Sequence, residues 1–119
     1  MEIKAANGRI TNARTGAIIV YHFEGNRHPE GETADVDRAL DRCITHLIRR
    51  GDIKGKLNEV TVLNCMGKLP ADRVVIAGLG KKKELDINKI RGLIAEVLRQ
   101  LRRLNAGTVT TVVRCQILI

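Results

Sequence analysis

No serine occurs in the 119 residues, and there is no tryptophan, one tyrosine (Tyr21) and one phenylalanine (Phe23). Without serine, hydrolysis through a serine nucleophile is excluded for these residues. With two aromatic side chains, stacking of nucleic-acid bases on aromatic platforms has almost nothing to work with. The three cysteines, Cys43, Cys65 and Cys115, are widely spaced among apolar neighbours and form no CxxC pair. Neither a zinc ribbon nor a disulfide framework is indicated, and reduced thiols acting as small hydrophobes account for them. No apolar run approaches the ~18 residues of a membrane span. The opening Met1-Glu-Ile-Lys4 has neither the apolar core of a signal peptide nor a transit composition, so the expected location is the cytoplasm and no membrane partner is expected.

What is present is 44% apolar composition, enough for a real core, in a length that suggests one domain over 1–119. The formal charge is +8 and the excess is uneven. Residues 1–60 hold ten Lys/Arg and nine Asp/Glu, whereas residues 61–119 hold eleven and four. A basic second half can steer toward phosphate or an acidic partner, though a solvated surface accounts for it without one.

The chain is organised around Arg73 to Leu104. Val74, Val75, Ile76 and Ala77 make an uninterrupted apolar run, long enough for a strand covered on both faces and too short for a helix. Gly78 and Gly80 are expected to break it in a tight turn. Lys81, Lys82 and Lys83 follow as a solvated turn, and Asp86 can cap a helix whose apolar stripe is Ile87, Ile90, Ile94, Val97, Leu98, Leu101 and Leu104. Upstream, Glu2–Ala6 reads as an edge strand, Asn7-Gly8 as a turn, and Ala17–Tyr21 as a buried strand. His22 to Glu32 reads as a long surface loop. Thr33 is expected to cap one helix running to Gly51, with Asp35 and Asp37 as partners of the dipole in its first turn. Val60–Cys65 and Thr108–Val113 complete an apparent order β-β-α-β-β-α-β, an α/β domain with helices packed on a mixed sheet.

Candidate chemistry is sparse. Gly78, Gly80, Lys81 and Lys82 after a strand form a candidate ligand or anion site, because free N–H groups at a helix start bind anions. A GxGxxG fingerprint would need glycine at Lys83, and no GxxxxGK[ST] is present. Lys68, Arg73, Lys81, Lys82, Lys83 and Lys89 could touch nucleic-acid phosphates, but no recognisable nucleic-acid motif accompanies them. His22 and His28 bracket the loop with Glu24, Glu30 and Glu32 near, and nothing in the spacing supplies a converging third ligand for a metal. His46 reads as an ordinary boundary histidine. No catalytic or metal-binding residue is nominated, and no cofactor is expected in this chain.

The run Gly67-Lys-Leu-Pro-Ala-Asp-Arg-Val-Val-Ile-Ala-Gly-Leu-Gly-Lys81, with Leu85 and the Ile87–Leu104 helix, resembles the N-terminal domain of the leucyl aminopeptidase (cytosol aminopeptidase) family of metallopeptidases. Phe23-Glu-Gly25, Ala34–Leu40 and Gly55-Lys-Leu57 support the likeness. The resemblance implies a macro-domain-like α/β fold. It also implies a role in assembly of a homo-oligomer and regulation, with peptide hydrolysis and two divalent metal ions in a C-terminal catalytic domain. That domain's Asn-Thr-Asp-Ala-Glu-Gly-Arg motif matches no segment here, so the catalytic domain is expected to be absent from these residues, and no catalytic residue carries over. Some bacterial members bind DNA. After Val113 the family pattern departs, and Arg114–Ile119 stops on an apolar stretch, from which self-association through that end or a sheet edge is expected. The alternative is a stand-alone macro-like module taking ADP-ribose or another phosphorylated ligand, with Gly78–Lys83 and the Glu24–Thr33 loop flanking the pocket, or DNA through the basic half.

Overall fold

The computed structural model describes residues 2–5 and 9–111. The expected Asn7-Gly8 turn, Cys115 and the apolar Arg114–Ile119 stretch lie outside them. Five strands form one mixed sheet: β1 (Glu2–Ala5), β2 (Ala17–Phe23), β3 (Val60–Asn64), β4 (Arg73–Gly80) and β5 (Thr108–Thr111). Their spatial order is β1-β5-β2-β4-β3, parallel except for β3, which runs antiparallel to β4 at one edge. The other elements are α1 (Glu32–Ala39), α2 (Cys43–Arg50), α3 (Ile87–Arg103) and short 3-10 turns at Ile10–Asn12 and Lys82–Glu84.

Alternation along the central strands divides the core in two. Ile18 and Val20 of β2, with Val74 and Ile76 of β4, pack against Val36 of α1, Leu40 just past its end and Ile44 of α2. Ala17, Ile19, Val75, Ala77 and Leu79 face the other way, onto Leu93, Val97 and Leu101 of α3. Burial on both faces explains why β2 and β4 read as continuous apolar runs.

The element order expected from sequence holds, with one division. Residues 33–51 form two helices, because Asp41 and Arg42 adopt left-handed backbone (φ 56° and 66°) and end the first. The apolar stripe stays in phase across the break, which hides it from periodicity. Three local assignments change as well. Thr33 does not cap a helix; α1 begins after Gly31, and the Thr33 hydroxyl instead bonds to β2. Asp37 is no dipole partner: it is fully buried, and its carboxylate accepts the backbone N–H (2.9 Å) and the hydroxyl (2.5 Å) of Thr45, in the first turn of α2. It therefore caps the second helix from the body of the first. Ile87 and Leu104, expected in the α3 stripe, are about two-fifths exposed, while Leu93 is buried there. Asp86 caps α3 as expected, accepting the Lys89 N–H at 2.8 Å.

Candidate functional site

The chain after β2 turns to one face of the sheet and the chain after β4 to the other. Adjacent parallel strands with connections on opposite faces leave a crevice beyond their carboxyl ends, the usual ligand position in an open α/β sheet. Here that position lies beyond Phe23 and Gly80.

Gly78 and Gly80 do not form the tight turn expected of them; both belong to β4. Their side-chain positions are taken up by the segment before β3. A Cβ on Gly78 would stand 2.0 Å from the Lys56 carbonyl oxygen, and one on Gly80 would stand 3.1 Å from Leu57 Cβ. Gly78 donates its N–H to Glu59 O (2.8 Å), and its own carbonyl accepts from Asn58 N (3.2 Å). Gly80 donates to Gly55 O (2.8 Å), and its carbonyl accepts from Glu24 N (2.9 Å). Gly55, at φ 76°, lies so close to β2 that a Cβ would meet the Phe23 carbonyl at 2.6 Å. Residues 55–59 thus cross the ends of both central strands backbone to backbone, which only glycines permit.

The one carboxylate bound by successive backbone N–H groups in this region is the chain's own. Glu59 accepts from Lys54 N (3.0 and 3.2 Å) and from Gly55 N (3.0 Å). Paired amides of this kind form an anion-holding concavity. Of the candidate anion-site residues, Gly78 and Gly80 have their N–H groups engaged as above. Lys81 and Lys82 are exposed on the following turn, with Lys82 Nζ 5.9 Å from the centroid of the Phe23 ring, within cation–π reach.

A small cavity of about 90 Å³ remains beside β2, lined by Tyr21, His22, Phe23, Asn26, Glu30 and Thr33 among others. Small-molecule pockets begin at about 300 Å³, and this space is smaller than that. Its walls are tied together. Thr33 Oγ1 donates to Tyr21 O (2.7 Å) and accepts from Tyr21 N (3.2 Å), pinning the first turn of α1 to β2. The Tyr21 hydroxyl lies 2.9 Å from Thr111 Oγ1, and burial pushes its pKa up, partly offset by that bond. His22, placed by sequence in a surface loop, is the penultimate residue of β2 and only 3% exposed. Its Nε2 is 3.0 Å from Asn26 O, and burial lowers its pKa against opposing pulls from that carbonyl, Glu59 and Glu30. Among the described residues, no three His, Cys, Asp or Glu side chains are grouped to hold a metal ion. Burial, aided by Asp72, raises the pKa of the Cys65 thiol.

Sequence reasoning missed the role of the segment 53–59, in which it noted Gly55-Lys-Leu57 as support for the family likeness. The signal that could have found it is the pairing of Gly55 with Gly78 and Gly80, glycines at positions where two backbones touch.

Comparison with known proteins places this geometry in context. Residues 19–116 match the family described as "Cytosol aminopeptidase family, N-terminal domain". A probable cytosol aminopeptidase of Idiomarina loihiensis is 34% identical over 101 residues, 85% of this chain and 20% of that protein. One from Alkaliphilus oremlandii is 31% identical over 109 residues, 92% of this chain and 22% of that protein. The chain therefore spans about a fifth of the length of these relatives. In fold, it is similar to the macrodomain of Mycobacterium tuberculosis DarG (TM-score 0.70, 16% identity, covering 92% of this chain and 74% of that one). It is also similar to the macrodomain of Thermus aquaticus DarG (TM-score 0.55, 10% identity, covering 94% and 98%).

Proposed function

Because the chain belongs to the cytosol aminopeptidase family, as its N-terminal domain, we propose that it serves as a non-catalytic platform for assembly and regulation of a larger aminopeptidase. In that reading, release of N-terminal amino acids from peptides belongs to the part of the relatives that this chain does not span. The observation that carries the proposal is the filled crevice: the segment 55–59 occupies the place where an α/β sheet of this topology would take a ligand. The two divalent metal ions implied by the family resemblance do not fit the described residues, whose donors are not grouped. We assign those ions to the catalytic domain. A single-domain chain in the cytoplasm, joined to that domain or self-associated, belongs to the same proposal; among the described residues no helix is long and apolar enough to cross a membrane.

The experiment is an assay of leucine release from leucine amide by the purified chain, with and without added zinc or manganese. No release above background is expected. Metal-dependent release that co-purifies with the chain overturns the proposal.

A second reading rests on α3, whose Arg91, Arg99, Arg102 and Arg103 are exposed, Arg99 being paired with Glu96. Such a face would hold nucleic-acid phosphates without reading sequence, and its binding would fall steeply as salt rises. A gel shift across a salt series checks it.

A further inference from the structure

β3 stands at the edge of the sheet and pairs only with β4 among the described residues. Its register with β4 and two flanking bonds fix which of its backbone groups point away. Cys65 donates to Asp72 O, and Glu59 accepts from Gly78 N. Antiparallel pairs alternate between bonded and non-bonded, so Thr61 and Leu63 share the inward phase of Glu59 and Cys65. Val60, Val62 and Asn64 are left with N–H and C=O groups directed outward.

Natural sheets protect such an edge with a charged residue, a proline or a bulge. Val60-Thr-Val-Leu-Asn64 has none of these, and its pairing with β4 runs without a register shift. The strand is half-buried up to Leu63, with Val60 and Val62 leaning on the α3 side of the core and Leu63 on the other. Just past it, Asn64 Oδ1 accepts the Met66 N–H (2.9 Å), and Met66, at φ 52°, is 80% exposed. A large apolar side chain is thus held in solvent at the end of an unprotected edge.

We propose that this edge is the interface with a second copy of the chain, two β3 strands pairing antiparallel about a two-fold axis at Val62. This rests on the assembly role proposed above and names the surface that performs it. The donor and acceptor pattern is self-complementary. With Val62 opposite Val62, the outward Val60 of one copy meets the outward Asn64 of the other, and each N–H faces a C=O. The strand carries no charge of its own, so no like charges oppose each other across the axis. In this register Met66 of each copy falls opposite Asn58 of its mate, at the rim of the joined sheet. A heterologous strand would satisfy the same groups; a second copy is the favoured occupant because Val60-Thr-Val-Leu-Asn64 carries no charge to oppose itself across the axis.

The test is hydrogen exchange on the purified chain from micromolar to millimolar concentration, with mass measured by sedimentation at each step. The amides of Val60, Val62 and Asn64 are expected to gain protection as the mass doubles, whereas those of Thr61, Leu63 and Cys65 are protected throughout. Val62→Pro, which removes an outward N–H and no intramolecular bond, is expected to abolish the doubling. If that variant does not fold, the exchange pattern of the unaltered chain decides alone. A dimer whose Val60, Val62 and Asn64 amides exchange at the monomer rate overturns the edge but leaves an assembly role through another surface. A monomer at every concentration overturns the edge, and the leucine-release assay stands apart from both results.

Discussion

The backbone of Lys56 passes so close to Gly78 that a methyl group on the glycine would stand 2.0 Å from the Lys56 carbonyl oxygen. The contact closes the sheet's ligand position with the chain's own backbone, and Gly78 N–H to Glu59 O fastens it. Gly78→Ala must displace backbone on one side, so it is expected to lower stability by about 3 kcal/mol, near the upper end of overpacking costs. Gly92 is the control: it lies within α3, where an added methyl group would meet nothing within 4 Å. Gly92→Ala is expected to raise stability by about 1 kcal/mol, the helix-propensity difference. Urea unfolding of the two variants measures both.

Asp37 joins the two halves of what would otherwise be one helix. It is buried and accepts two bonds from Thr45, with Arg42 Nη1 3.7 Å from the carboxylate. Asp37→Ala removes a helix cap and leaves the Thr45 groups without their partner, at an expected cost of about 2 kcal/mol or more. Chemical denaturation checks the size. Loss of α2 helicity before global unfolding, seen by amide exchange, checks the location.

His22 gives the stability a pH dependence of known sign. Its folded pKa lies below the ordinary 6.5 because burial disfavours the charged ring. The unfolded chain therefore binds the proton first as pH falls. The contribution of a neutral His22 is present above about pH 6.5 and is lost as pH drops from there through the folded value. Unfolding free energies at neutral and mildly acidic pH are expected to differ in that direction. His22→Gln is expected to flatten this part of the profile, whatever it does to stability at neutral pH.

The layers of the fold were legible because they follow from period. Four apolar residues in a row at Val74–Ala77 predict a doubly covered strand, and steps of three and four from Ile90 to Leu101 predict one face of a helix. Asp86 was legible as a cap because its bond is local. The break at Asp41–Arg42 was not, since the stripe from Val36 to Ile48 keeps its phase across it and two non-glycine residues take positive φ. The roles of Asp37 and Thr33 depend on partners eight and twelve residues away, beyond any local pattern. The candidate site was half legible. The glycines at 78 and 80 stood out, but their chemistry depended on what faces them. A glycine that admits a phosphate and one that admits another strand of backbone look the same in one dimension.

Residues 55–59 close the end of the sheet, and on that closure rests the claim that the chain takes no nucleotide there. Calorimetric titration of the purified chain with ADP-ribose tests it most directly. No heat of binding is expected up to millimolar ligand for the unaltered chain. Saturable one-to-one binding at micromolar affinity, with chemical-shift changes centred on Gly55, Gly78 and Gly80, would contradict it.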